Sequence, residues 1–457
     1  MPVGRLSLLL LHKSKHRDGY ACAQFENGRG ISVNQKKTVA FVQRLGPGLI
    51  TGAADDDPSG IATYSQAGAQ FRFGLVWTLL LTMPLMIGIQ MLSARIGWVT
   101  GKGLTTNIDQ MFPRWLTLSL VGLLVVANTI NIAADIGAMA EAVRLLIGGS
   151  LALYVLGFGV FCVATQVLFS YERTVRLLKW LTLSLFAYVA VILSVSVPVH
   201  RLVQESLQPW SFFPKDLSLK QYMAMVVAVL GTTISPYLFF WQAAQEVEDN
   251  NRRPEAQALR AHPEYAAEHL FRIKQDTIFG MTFSNVIALC IVVATAVTLN
   301  LQGITDIQTS AQAAEALRPI AGEFAFALFA LGIIGTGLLA VPVLAGSAAY
   351  AVSELYGWKA SLSHRFKEAR GFYLIIMAAT GIGTLLGYLE VDPIQALVWS
   401  AIVNGVISVP IMAALMWIGQ SERLMGTLTI SRRHRFFGWL ATLVMAVAVV
   451  LMGVTSF

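Results

Sequence analysis

Apolar runs about as long as a bilayer is thick recur along the chain, each closed by a short polar stretch. "LVWTLLLTMPLMIGIQML" and "WLTLSLFAYVAVILSVSV" are two of them. Each is close to the ~20 residues that cross the hydrocarbon core as a helix. The pattern predicts eleven spans, at about 46–69, 75–97, 115–146, 150–170, 176–198, 221–245, 276–300, 322–350, 371–389, 393–418 and 436–456. The third is long enough to tilt or to extend beyond the bilayer. A membrane β-barrel would show short strands of alternating polarity instead, and these are absent.

The basic residues test this count. The segment before the first span holds Arg5, Lys13, Lys15, Arg17, Arg29, Lys36, Lys37 and Arg44. Skipping one loop each time, the next clusters are Arg95/Lys102/Arg114, Arg173/Arg176/Lys179 and Arg252/Arg253/Arg260/Arg272/Lys274. Lys359/Arg365/Lys367/Arg370 and Arg423/Arg432/Arg433/Arg435 follow. The intervening loops hold only Arg72, Arg144, Arg201, Lys215, Lys220 and Arg318. Cations mark cytoplasmic loops, so the alternation predicts eleven spans with a cytoplasmic N-terminus. A missed or extra helix would scramble it.

Composition agrees. The chain is 55% hydrophobic and 13% charged, against about 25% charged in a soluble domain. It reads as an all-α polytopic protein of the cell membrane, with the lipid bilayer as its surroundings. The net charge of +7 therefore reflects loop cations, and no nucleic-acid partner is expected. Cys22, Cys162 and Cys290 lack metal-ligand spacing, so neither a disulfide framework nor a zinc site is implied. Residues 1–42 are polar and basic. Their "LSLLLL" is short for a signal-peptide core and no clear cleavage site follows. They read as a poorly ordered cytoplasmic extension before a transporter domain spanning 43–457.

Two spans carry helix breakers. The first holds Gly46, Pro47, Gly48 and Gly52, then Asp55, Asp56, Asp57, Pro58, Ser59 and Gly60. Pro58 lacks a hydrogen-bond donor and clashes with the preceding turn, so the helix should break near mid-membrane. The sixth repeats the theme in "GTTISPYLFF", Gly231 to Phe240. One interrupted helix near the start of each five-span half, about 46–198 and 221–418, points to an inverted-repeat transporter with its site at the midplane. A break frees carbonyls that are costly in lipid but can hold a cation. Ionised aspartates in hydrocarbon are equally costly, and a bound cation offsets that cost. Asp55, Asp56 and Asp57 point about 100° apart on a helix, so only part of the set can face one site. Asp57, nearest the break, is the first candidate. A proline here could be only a kink, but three adjacent carboxylates at it need more than that.

The third span adds Asn128, Asn131 and Asp135, on one helix face by their spacing. Asp135 suits a proton relay or a second ion contact, and otherwise an interhelical hydrogen bond. Asn131 belongs to the same path. Asn404 in the tenth span reads more as packing glue.

At this point the residues resemble a known family. "DPSGIATYSQAGA" is similar to the "DPGNIATxxQAGA" of the Nramp divalent-metal transporters. "LSARIGWVTGKGL", Leu92 to Leu104, resembles that family's second-span exit. "SPYLFFWQ" stands where the family has "MPHNLYLH", and "SYERTVRLLKWL", Ser170 to Leu181, resembles its span four to five connection. The resemblance runs from about residue 42 to the end. It implies the LeuT-type fold, two inverted five-helix repeats plus an eleventh helix, with alternating access. It also implies that the chain is no enzyme and needs no cofactor, the divalent metal ion being its substrate.

The departures direct the substrate. In typical members the ion is held by the Asp and Asn of "DPGN", the Met of "MPH" and a carbonyl three residues before that Met. Carried over, these positions are Asp57, Gly60, Ser235 and Thr232. The Asn amide is lost to Gly60 and the Met thioether to Ser235. A thioether favours softer transition metals, and a hydroxyl is a hard oxygen ligand. Mg²⁺ keeps several waters and needs only one or two carboxylates. The altered site therefore suits Mg²⁺, with Mn²⁺ also accepted, and Asp55 and Asp56 add negative field. In this it resembles the magnesium-transporting offshoot of the family. The "MPH" histidine is Tyr237 here, the later histidine is Gln242, and the second acid of the third span is Ala138. A tyrosine titrates at about 10 in water and cannot take over a histidine's role near neutral pH, so proton coupling should be weak or absent.

The alternative is a proton-coupled Mn²⁺/Fe²⁺ transporter of the usual kind. An organic-solute carrier of the same fold would offer helix N-termini to a carboxylate, which three aspartates would repel. An intramembrane aspartyl hydrolase pairing Asp57 with Asp135 lacks a "GxGD" context. The chain is expected to work as a monomer. The stretch 245–275 reads as a cytoplasmic helical connector.

Overall fold

The computed structural model describes residues 47–168, 183, 185–208, 218–251, 266–388 and 392–456. The expected N-terminal extension, residues 169–182 and residues 252–265 of the connector lie outside this set. Among the described residues all regular structure is helical.

The first expected span is two helices, α1 (Pro47–Asp55) and α2 (Pro58–Phe71). The second is α3 (Val76–Thr100), followed by the short α4 (Leu104–Met111). The third and fourth are α5 (Arg114–Ile147) and α6 (Leu151–Leu168). Of the fifth, α7 (Phe186–Ser194) is described. An amphipathic helix that the apolar pattern did not announce, α8 (Val199–Leu207), turns away from α7 by 118°. The sixth is again a pair, α9 (Leu219–Thr233) and α10 (Pro236–Asn251). The seventh, α11 (Ala266–Thr298), starts earlier than expected and takes in the end of the connector. Two short pieces, α12 (Ser310–Ala314) and α13 (Arg318–Ala321), lead into the eighth span, α14 (Ala325–Tyr356). The last three are α15 (Arg370–Leu386), α16 (Pro393–Gln420) and, after the one-turn α17 (Glu422–Met425), α18 (Arg432–Ser456).

Eight helical stretches among the described residues are long and apolar enough to cross a membrane. The other three expected spans fall short of that length for visible reasons. Span one is cut in two, α15 has 17 residues, and the start of span five is outside the described set.

Both breaks are built alike. Two residues leave the helix, Asp56–Asp57 in one case and Ile234–Ser235 in the other, and a proline opens the next helix. Pro58 and Pro236 are thus not kinks inside a continuing helix. Each occupies a first-turn position, where the missing N–H is no loss and the fixed φ suits the start.

The broken spans lie at the centre of the bundle. The stretch Leu219–Asn251 buries 89% of its apolar window, whereas α6 buries 22% and α18 28%. Close packing there relies on missing side chains. A Cβ on Gly52 of α1 would overlap the backbone of Gly280 in α11. A Cβ on Gly231 of α9 would overlap the Ala401 carbonyl and Gly405 of α16. Without a hydrophobic drive between helices in lipid, such backbone approach is what van der Waals packing uses. The Gly48 N–H of α1 donates to Asp276 Oδ2 of α11 at 2.7 Å. At the far end of α2, Gln66 Oε1 accepts from the Ile307 N–H at 2.8 Å and Asn300 Nδ2 donates to the Ala69 carbonyl at 2.7 Å. Both halves of span one are therefore tied to α11 and the segment that follows it.

Candidate functional site

Asp57 sits at the N-cap of α2, with extended backbone (φ −70°, ψ 172°). Its two carboxylate oxygens have different work. Oδ1 accepts from the Gly60 N–H at 2.7 Å and the Ser59 hydroxyl at 2.9 Å, satisfying a donor that every helix start leaves open. Oδ2 faces the bundle interior. There Asn131 Nδ2 of α5 approaches at 3.1 Å and the Tyr237 hydroxyl of α10 at 3.4 Å. The same hydroxyl lies 3.1 Å from the Ala54 carbonyl at the end of α1. Tyr237 thus joins the two breaks.

Asn131, expected on a secondary path, is in direct contact with Asp57. Its carbonyl oxygen in turn accepts from the Ser400 hydroxyl of α16 at 2.6 Å. Ser400 was not legible in the sequence: a lone serine in an apolar span carries no distinguishing pattern. Nor was Ser284 of α11, whose hydroxyl lies 2.5 Å from Asp55 Oδ2 and 3.2 Å from Asp56 Oδ1. All three aspartates are buried, but they divide into a pair turned to Ser284 and one turned to Asn131 and Tyr237. Asp55 Oδ1 and Asp56 Oδ2 are buried without a hydrogen-bond partner. Among the described residues no group of three or more His, Cys, Asp or Glu side chains is placed to hold a metal.

At the second break the Ser235 hydroxyl lies 2.9 Å from both the Gly231 and the Thr232 carbonyls. Its single O–H can serve either of these carbonyls at the end of α9. The Thr232 carbonyl, expected as a ligand, keeps a second lone pair for one. Gly60 stands between the breaks. A Cβ there would lie 3.3 Å from the Asp55 carbonyl oxygen and 3.3 Å from Thr232 Oγ1.

The other expected residues divide. Asn128 Nδ2 donates to the Leu344 carbonyl at 2.9 Å and approaches the Ser347 hydroxyl at 2.7 Å, both in α14, and so ties two helices together. Asp135 is buried, and neither of its carboxylate oxygens has a hydrogen-bond partner. Asn404, read as packing glue, is buried with neither amide atom partnered. Gln242, at the later histidine position, accepts from Gln90 Nε2 of α3 at 2.5 Å and donates to Thr277 of α11 at 3.0 Å. That ladder of neutral groups joins α3, α10 and α11 beside the break.

Comparison with known proteins follows the geometry. The profile of the family described as "Natural resistance-associated macrophage protein-like" (Nramp) matches residues 48–455. The divalent metal cation transporter MntH of Klebsiella pneumoniae is 26% identical over 404 residues, 86% of this chain and 90% of its own length. The MntH of Aeromonas hydrophila is 27% identical over 303 residues, 64% of this chain and 69% of its own. A crystal structure of the manganese transporter of Eremococcus coleocola, in complex with an aromatic bis-isothiourea substituted compound, superposes with a TM-score of 0.70. It is 17% identical and the alignment covers 92% of this chain and 87% of that one. With a match along nearly the whole helical region and the same fold, the chain belongs to the Nramp family of membrane transporters, built on the LeuT-type fold, and is not an enzyme.

Proposed function

We propose that this chain imports divalent metal ions by alternating access, with Mg²⁺ and Mn²⁺ as substrates, at an oxygen-rich site between the two helix breaks. The observation that carries the reading is the pairing of Asp57 with the second break. One carboxylate oxygen caps α2, leaving the other aimed inward beside the Tyr237 hydroxyl of α10. The Thr232 carbonyl and Ser235 hydroxyl supply further hard oxygens. Ser235, where typical members have a thioether, removes the preference for softer ions. Gly60 carries no amide ligand and lets the two breaks approach closely, since a Cβ there would crowd the Asp55 carbonyl and Thr232 Oγ1 at 3.3 Å, and with fewer protein ligands the ion would keep part of its water. Asp55 and Asp56 extend the negative field, held by Ser284. The unpartnered carboxylate of Asp135 and the Asn404 amide mark a secondary path, continued by Asn131 and Tyr237. The carrier is read as a monomer. The alternation of basic loops supports a cytoplasmic N-terminus.

The kinship with MntH and manganese transporters favours a second reading, in which Mn²⁺ is the main substrate and moves with protons. Ser235→Met separates the two. In proteoliposomes the variant should gain about tenfold or more in Mn²⁺ uptake relative to Mg²⁺, since a thioether gives little to a hard ion. Unchanged discrimination would defeat the hard-ion reading.

A further inference from the structure

Away from the helix breaks, a cavity of about 270 Å³ lies where α3, α11 and α18 meet. Its wall includes Leu270, Phe271 and Ile430, and its polar lining is the cations Arg95 and Lys274 with the imidazole of His434, with no acidic side chain among the lining residues. Arg95 is held in place. Its Nε lies 3.1 Å from the Leu428 carbonyl, and its Nη2 lies 2.9 Å from the Leu428 and 3.0 Å from the Thr429 carbonyl. A guanidinium has five N–H donors, so the two on Nη1 remain for a further acceptor. Lys274 is exposed and His434 half-buried. The surroundings expose aromatic side chains: Phe271 is 59% exposed, and Phe436 and Phe437, next to the His434 turn, are 64% and 43% exposed.

A cavity with cations on one side, aliphatic and aromatic groups on the other, and exposed aromatics around it has the polarity of a phospholipid at headgroup depth. A free anion would use the cations but not the apolar wall. A nucleic acid or protein segment would not enter so small a space. Arg95 and Lys274 come from two of the basic clusters assigned to the cytoplasmic side and His434 stands within a third, so the inference rests on that sidedness. We propose that the cavity binds one anionic phospholipid of the inner leaflet, its phosphate on Arg95, Lys274 and His434 and its acyl chain against Leu270, Phe271 and Ile430. The lipid would bridge the eleventh helix, which lies outside both repeats, to one helix of each repeat.

The test is lipid retention by the full chain in detergent, read by native mass spectrometry during titration with phosphatidylglycerol or phosphatidylcholine. One phosphatidylglycerol should be retained in preference to phosphatidylcholine. Removing one cation near a membrane surface weakens such binding about fivefold, so Lys274→Gln should do so, and His434→Ala, which removes a hydrogen-bond donor and no full charge, should weaken it less. Lys274→Arg should retain the lipid, and Lys359→Gln, in another basic loop, should match the unsubstituted chain. Equal retention of both lipids, or equal loss in the Lys359 variant, would overturn the proposal. So would displacement of the lipid by millimolar inorganic phosphate, which would make the cavity a free-anion site.

Discussion

At the scale of single residues, the site is organised by what each polar atom has left to give. Asp57 spends one oxygen on the start of α2 and offers the other to the interior. Asn131 is the donor that holds that second oxygen, and Ser400 holds Asn131. This chain of contacts predicts an order of effects. A hydrogen bond to a charged group contributes about 1.5–3 kcal/mol, so Asn131→Ala should lower metal uptake at subsaturating concentration by about tenfold or more. Ser400→Ala should lower it less. Ser400 acts through Asn131, so the double variant should be no worse than Asn131→Ala alone. Proteoliposome uptake with the four proteins closes the cycle, and additive losses would show that Ser400 reaches the ion by another route. The helix breaks at Asp57 and Ser235 were legible in the sequence, from the carboxylates and glycines around Pro58 and from Pro236 after "GTTIS". Ser284 and Ser400 were not, since serines occur throughout apolar spans and only packing shows which one meets a carboxylate.

At the scale of elements, the two broken spans share one construction, two non-helical residues and then a proline. The half-helix α1 is held by its N-terminus on Asp276 and by the bare backbone of Gly52 on Gly280. A side chain at Gly52 must push α1 off α11. Overpacking of this kind costs about 1–3 kcal/mol. Gly52→Val should therefore lower the thermal unfolding temperature and abolish uptake, and a variant with full uptake would show that this docking is dispensable. The motif "GWVTGKGL" has a similar basis. Gly97 lies against the Ala243 backbone, Gly101 takes a left-handed φ of 64°, and Gly103 leaves room for the Glu354 carboxylate, which accepts from the Thr106 N–H at 3.2 Å. Sequence alone marked the motif as distinctive. The reason became visible only with α10 and α14 beside it.

At the scale of the whole molecule, a divalent cation moving into a cell with a negative interior is already driven. Each charge gains about 2.3 kcal/mol per 100 mV, so a divalent ion gains about 4.6 kcal/mol, more than a thousandfold in concentration. Import without proton coupling needs no further source of energy. With Tyr237 and Gln242 in place of titrating histidines, the one a phenol on Asp57 and the Ala54 carbonyl and the other an amide in a neutral ladder, metal entry should leave internal pH unchanged. An internal pH dye in the uptake vesicles checks this, and acidification that tracks metal entry would restore the usual coupled mechanism. The span pattern, the basic-loop alternation, the paired breaks and the carboxylate at the first of them were fixed by sequence. Hydrophobic length and charge placement are local properties, and lipid leaves a helix few alternatives. The bent α8, the division of the three aspartates between Ser284 and Asn131, and the cavity joining α3, α11 and α18 came only with the tertiary structure. Each depends on which helices become neighbours, and that is decided by packing between segments far apart in the chain.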